Sequence, residues 1–263
     1  MLKSYTSPKV SNRNFSIVLS HQQPSNVIIS VPHDCLAAGD FSYMFQTRRS
    51  GVTVRDLHVW LIANDIVQTS FKLGVRVDAV RFLMARTYVD ANRALSQREN
   101  LDPDAYDQVA LEDQRLLSVY RYYHSELQRL VRRSVQKFGA NQVLFIDLHG
   151  FGQQPAIAPA QGYDLILGTA NRATILHGNV DVDFAKFMEQ KNYSVFLPNE
   201  QPVVSEGDPF NAGQNTRWYA QQYGINAIQI EISRTFRQKN AKDRGEQLAR
   251  DVAEFLLECY KKV

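Results

Sequence analysis

Cysteine is scarce, with only Cys35 and Cys259 among 263 residues. Two thiols do not make a disulfide framework, so the fold is expected to hold without cross-links, in a reducing compartment. Long apolar runs are missing too. No stretch approaches the roughly 20 residues that span a bilayer, and the opening MLKSYTSPKV has no apolar centre of a secretion signal. A cytoplasmic protein is therefore expected. Charge of one sign is also lacking: 30 Lys and Arg against 27 Asp and Glu leave a net +3. With no basic stripe interleaved with aromatics, neither nucleic acid nor a membrane surface is an expected partner. There is no Gly-x-Ser-x-Gly nucleophile elbow and no GxxxxGK[ST] or GxGxxG phosphate cradle. No internal repeat, low-complexity run or linker divides the chain, so residues 1–263 read as one domain.

What is present is ordinary globular material, 44% hydrophobic and 22% charged, and long enough to bury a sizeable core. Short apolar runs predict strands at Val27–Val31, Val143–Ile146, Asp164–Leu167, Tyr193–Leu197 and Ala227–Ile232, with residues 75–84 extended. Helical spacing predicts a helix from about Val54 to Phe71, with Thr53 as cap and Asp56 three residues on. A longer one runs from about Leu111 to Phe138, burying Leu116, Val119, Tyr120, Tyr123, Leu127, Leu130 and Val131, and Gly139 closes it. Further helices are expected at Phe184–Gln190, Gln214–Gln222 and about Ala241–Tyr260, the last burying Leu248, Val252, Phe255 and Leu256. Strands alternating with helices mean a sheet covered on both faces. The fold class is α/β, a three-layer α/β/α domain with a mixed, mostly parallel sheet. The stretch from Gly150 to Gly162 reads either as a mobile loop beside a site or as a plain surface connection. The basic stretch from Arg237 to Arg244 reads as a solvated face.

Three of these strands end in chemistry. Val27–Pro32 runs into His33-Asp34, Val143–Ile146 into Asp147-Leu148-His149, and the strand AIQIEIS carries Glu231 ahead of Arg234. Carboxyl ends of strands are where open α/β sheets bind ligands. Two histidines and a carboxylate are a common ligand set for catalytic zinc. His33 and His149 would supply nitrogens, while Asp34, Asp40, Asp56 and Asp147 all stand as candidates for the carboxylate. Asp56 also reads as a simple helix-end charge, His58 as structural, and Cys35 as an inert buried thiol. Glu231 lies in an apolar strand, where a carboxylate must be functional, paired or protonated. Desolvation would make it a serviceable general base, the alternative being a salt bridge to Arg234 or another buried arginine. The stretch ARTYVDANR (85–93) contributes Arg86, Asp90, Asn92 and Arg93. An Asn-Arg pair beside a metal suits a substrate carboxylate; otherwise it is a solvated turn.

The order of motifs says more than any one of them. SVPHD (30–34), RDLHVWL (55–61), RTYVDANR (86–93), IDLHG (146–150), NAGQNTRWY (211–219) and QIEISR (229–234) follow one another. This series resembles the N-formylglutamate amidohydrolase family, over roughly residues 27–235. The resemblance implies a hydrolase-like fold related to the zinc carboxypeptidases, Zn²⁺ or another divalent metal, and a small N-acyl amino acid as substrate. It implies His33, Asp56 and His149 as metal ligands, with Glu231 catalytic and Arg86 stabilising the oxyanion. It further implies Asn92 and Arg93 on the substrate α-carboxylate, Arg217 on a second carboxylate, and a place in histidine degradation. The chain departs from the family pattern at Asp34-Cys35, at Ala91 and at Ala212, all around the expected pocket. Those changes leave two other readings open, a carboxypeptidase-like or cell-wall peptide hydrolase and a non-catalytic binder on the same fold.

Overall fold

The central apolar runs align side by side as parallel strands, because residues buried on both faces need helices above and below. The computed structural model describes residues 8–13, 15–35, 45–49, 51–96, 98, 101, 112–152, 162–197 and 210–260. The strands are β1 (Lys9–Arg13), β2 (Ser16–Ser20), β3 (Val27–Val31), β4 (Val77–Phe82), β5 (Leu144–Phe151), β6 (Leu165–Gly168), β7 (Val195–Phe196) and β8 (Asn226–Ser233). They form one eight-stranded sheet in the order β1-β2-β4-β3-β5-β8-β6-β7. The central block β4, β3, β5 and β8 is parallel. The pairs β1–β2, β2–β4 and β6–β8 are antiparallel, and β6–β7 is parallel. The sheet is therefore mixed and mostly parallel, as the alternation of elements implied.

The described helices are α1 (Val59–Leu73), α2 (Gln114–Phe138), α3 (Val180–Gln190), α4 (Gln214–Tyr223) and α5 (Lys242–Tyr260). One face of the sheet packs on α1, α3 and α5 through Ile29, Ile146, Leu148, Ile230, Ile66, Phe184 and Leu248. The other packs on α2 and α4 through Ile28, Val80, Phe145, Ala227, Tyr123 and Tyr219. The result is a three-layer α/β/α domain. From β3 the chain steps to β4 on one side and then returns to β5 on the other. The crevice beside the carboxyl ends of β3 and β5 is thus the topological switch point, the usual ligand position in such sheets.

Three local expectations change. Helix α1 begins at Val59, not near Val54, and Thr53 does not cap it. The cap comes from far away: the Trp60 N–H donates to Asp34 Oδ2 at 2.7 Å. His58, at the N-cap, adopts a left-handed φ of 66°, so the chain enters the helix by a sharp turn that leaves Asp56 outside it. Second, β5 does not stop at Ile146 but continues to Phe151, so Asp147 and His149 are strand residues. Third, the β1–β2 hairpin had no counterpart in the sequence reading. Asp40 and most of the stretch after Gly152 lie outside the described residues. Among the described residues, no helix is long and apolar enough to cross a membrane.

Candidate metal centre

A strand turns alternate side chains to the same face. In β5 this sends Leu144, Ile146 and Leu148 to the α1 side, so Asp147 and His149 point to the α2 side along with Phe145. In β8 it sends Ile228, Ile230 and Ile232 to the first and Gln229 and Glu231 to the second. The two strands are in register with His149 opposite Glu231 and Asp147 opposite Gln229, one interstrand spacing of about 4.8 Å apart. His33 lies two residues past β3. A backbone hydrogen bond from Asp56 N–H to the His33 carbonyl (3.0 Å) brings the third segment alongside. The left-handed turn at His58 follows at once, a conformation that costs a non-glycine residue about 1–2 kcal/mol. The His58 ring is anchored by its Nδ1, 2.6 Å from the Arg237 carbonyl.

His33 Nδ1, His149 Nδ1 and Asp56 Oδ2 converge. The two nitrogens are 3.1 Å apart, and Asp56 Oδ2 is 3.1 Å from His149 and 3.6 Å from His33. Ligand atoms held by one tetrahedral zinc at its usual bond lengths are separated by roughly 3.3 Å, so this triangle has the right size for a shared divalent cation. All three residues are buried, and they form a group that could hold a metal ion. The other ring nitrogens are already committed. His33 Nε2–H donates to Asp90 Oδ1 at 2.6 Å and His149 Nε2–H to Asp147 Oδ2 at 2.9 Å. Carboxylates behind histidines fix the ring and leave the opposite nitrogen for a metal.

These carboxylates are themselves held. Asp147 Oδ1 accepts from Ser30 Oγ at 2.5 Å, and Ser30 in turn shares a 2.8 Å bond with Tyr123 Oη. Asp90 accepts from Arg86 Nε (2.8 Å) and from the Asn92 N–H (2.8 Å). Burial would raise the pKa of Asp90, but the charges of Arg86, His33 and Arg93 hold it well below the usual carboxylate range. Asp56 behaves alike: desolvation pushes its pKa up, and the hydrogen bonds and charges of His149 and His33 outweigh that and keep it ionised. Burial opposes charge on His149 as well, yet Asp147, Asp56 and Glu231 raise its pKa well above the ordinary histidine value. Glu231 goes the other way. Burial lifts its carboxyl to about 7, with His149 pulling down and Asp56 pushing up. Among the described residues its hydrogen-bond donor is Gln229 Nε2, 3.1 Å from Oε1.

These groups open on a cleft of about 810 Å³ lined by His33, Asp56, Arg86, Asn92, Arg93, His149 and Glu231 among others. Arg86 faces the cleft while its Nε stays on Asp90; burial works against its proton, and the carboxylates of Asp90, Asp56 and Glu231 hold it on. Asn92 is 3% exposed. Its Oδ1 accepts from the Asn215 N–H at 2.8 Å, which holds its amide on the histidine side of the cleft. Arg93 lines the cleft half-buried, with Nη1 on the Asn92 carbonyl. Arg217, expected on a second carboxylate, is not among the lining residues. Its guanidinium donates to the carbonyls of Ala212 (2.9 Å) and Asn211 (3.1 Å), which places it as a clamp on the turn before α4. Arg234, considered as a partner of Glu231, is exposed. Asp34 is spent on capping α1, and Cys35 donates its S–H to the Leu83 carbonyl at 2.6 Å. Asp90, Ser30, Tyr123, Gln229 and Arg237 carry no roles in the sequence reading. Of these, Ser30 in SVPHD, Asp90 in ARTYVDANR and Gln229 in QIEISR stood within the motifs that carried a signal.

The fold is a single α/β domain with an eight-stranded mixed sheet, and its buried His and Asp donors cluster beside the carboxyl ends of the central strands. The sequence profile of the N-formylglutamate amidohydrolase family matches residues 25–236, and the chain belongs to that family. No curated protein matches its sequence. Among solved structures, it resembles an N-formylglutamate amidohydrolase from Ralstonia eutropha JMP134 with a TM-score of 0.63 and 19% identity, covering 96% of this chain and 99% of that one. A gene product from Agrobacterium tumefaciens gives a TM-score of 0.58 at 16% identity, with 98% and 93% covered. A metallo-carboxypeptidase from Pseudomonas aeruginosa gives 0.48 at 13% identity, with 99% and 66% covered. The chain is an enzyme of a hydrolase family acting on amides.

Proposed function

We propose that the protein is a divalent-metal-dependent amidohydrolase that cleaves an N-acylated acidic amino acid, with N-formyl-L-glutamate giving formate and L-glutamate. The observation that carries this reading is the convergence of His33, Asp56 and His149 with Glu231 directly across from His149 in the sheet. The family and the Ralstonia eutropha relative support the choice of substrate. His33, Asp56 and His149 would hold the cation, and Zn²⁺ suits two nitrogens and one carboxylate. When bound, such a cation lowers the pKa of a water ligand and polarises a carbonyl.

The remaining chemistry belongs to the chain. Glu231 sits on the cleft floor with a carboxyl poised near neutrality, so it takes the proton of the attacking water and returns it to the leaving nitrogen. Arg86, kept charged beside Asp90, faces the negative charge that develops on the acyl oxygen. Arg93 offers a guanidinium for the substrate carboxylate, and Asn92 shapes that side of the cleft. Asp90 and Asp147 hold both histidine rings with Nδ1 turned inward. The test is metal content of purified protein together with formate release from N-formyl-L-glutamate and from a panel of dipeptides. Stoichiometric metal with formate release supports the proposal. Turnover of dipeptides alone would move the assignment to a carboxypeptidase, and bound metal without turnover would make it a binder.

A further inference from the structure

Arg237 stands one residue beyond the span that matches the family, in a basic stretch whose composition suggests a solvated face. The structure corrects that expectation at Arg237, while residues 238–240 and 242–244 are exposed: Arg237 is only 6% exposed and every arm of its guanidinium is in use. Nη1 donates to the Leu57 carbonyl at 2.6 Å, Nη2 to the Phe151 carbonyl at 2.7 Å and Nε to the Ile232 carbonyl at 3.0 Å. Each acceptor lies one or two residues past a site residue: Leu57 follows Asp56, Phe151 is two residues past His149, and Ile232 follows Glu231. The Arg237 carbonyl accepts in turn from His58 Nδ1–H at 2.6 Å, closing back onto the segment that carries Asp56. The glycine of the IDLHG motif makes room for this. A Cβ on Gly150 would stand 2.3 Å from the guanidinium carbon.

From this we infer that Arg237 is a positioning residue that sets the spacing of Asp56, His149 and Glu231 by gripping the backbone one or two residues past each. The inference rests on the metal-centre reading of the proposed function. Only a planar guanidinium presents directed donors to three carbonyls at once; an ammonium is a point charge on a flexible stem. The three gripped segments come from the loop before α1, from β5 and from the end of β8, far apart in sequence. A site of this kind must be held to within about 0.5 Å, and residues that orient metal ligands without touching the metal change affinity about 10- to 100-fold when altered.

The experiment compares wild type, Arg237→Ala and Arg237→Lys. Zn²⁺ affinity is read by competition with a chromophoric chelator, the Co²⁺ absorption spectrum reports ligand geometry, and formate release from N-formyl-L-glutamate gives kcat and KM separately. Both variants are expected to stay folded by circular dichroism and to bind Zn²⁺ about 10- to 100-fold more weakly. Their Co²⁺ spectrum should be altered, kcat should fall while KM moves little, and added guanidinium should partly rescue Arg237→Ala. Folded variants with wild-type Zn²⁺ affinity and an unchanged Co²⁺ spectrum overturn the inference. So does loss of the fold in both variants, which makes the brace a requirement of folding and not of the site. The amidohydrolase reading fails separately, if wild-type protein binds Zn²⁺ but releases no formate; the affinity and spectral comparison then still decides on Arg237.

Discussion

On one face of β5 and β8, Ile146, Leu148, Ile230 and Ile232 pack against α1, α3 and α5. One residue along, on the opposite face, Asp147, His149, Gln229 and Glu231 are buried just as deeply. The apolar face needs nothing from its partners but close contact, and burial itself stabilises it by about 25 cal/mol per Å². The polar face is costly wherever a group lacks a partner, and nearly every group there has one: Ser30 for Asp147, Asp147 and Asp56 for His149, Gln229 for Glu231. The period of two lets the same strands supply stability on one side and chemistry on the other. Mutations on the two faces should therefore separate.

The largest effect is expected at Glu231. Glu231→Gln keeps the shape and removes the base, so kcat should fall about a hundred- to ten-thousand-fold while Zn²⁺ affinity, measured by chelator competition, stays within a few-fold. The pH profile sharpens the same point. The base must be ionised to accept a proton, and burial raises its pKa to about 7 in the absence of a cation. A bound cation adds positive charge and moves that midpoint down. The rate should thus fall towards acid with a midpoint at or below about 7, and a rate that climbs from pH 7 to pH 5 would remove Glu231 from its role. On the apolar face, Ile230→Ala should behave oppositely. It should lose about 2–5 kcal/mol in denaturant melts, with kcat of the folded protein unchanged; a large loss of kcat at full folding would break the separation of faces.

Much of this was legible before any coordinates. Strands β3 and β8 stand out as apolar runs, and His33, His149 and Glu231 stand out because each breaks such a run where apolar residues would be expected. The helical spacing of α2 and α5 marked their buried stripes, from Leu116 to Val131 and from Leu248 to Leu256. Other features were hidden because they depend on pairings between distant segments. By its local setting Asp56 read as a helix-end charge, and the order of the motifs alone pointed to it as a ligand, since nothing local reveals that Asp34 caps α1 from 26 residues away. Arg237 looked solvated because its acceptors are backbone carbonyls of three other segments, which leave no side-chain signature. The β1–β2 hairpin has one exposed outer strand, with Val10 67% exposed, too short and too polar to show a period.

Two smaller effects refine the comparison. Asp147→Ala frees His149 Nε2 and leaves Ser30 without its acceptor, so Zn²⁺ affinity should drop about 10- to 100-fold by chelator competition, with the fold retained. An affinity equal to wild type would mean that the carboxylate does not hold the ring. Ala212 stands at a left-handed φ of 72°, a conformation that favours glycine. Ala212→Gly relieves that strain and should gain up to about 1 kcal/mol in a denaturant melt; a loss of stability would show that the turn depends on the methyl group.

The central claim is that His33 just past β3, Asp56 in the loop before α1 and His149 on β5 share one cation that the reaction requires. Its most direct test is formate release from N-formyl-L-glutamate by protein stripped with a chelator and then titrated with Zn²⁺. The rate is predicted to start near zero and to rise in proportion to added cation until about one ion per chain is bound. Undiminished turnover by the stripped protein would contradict it.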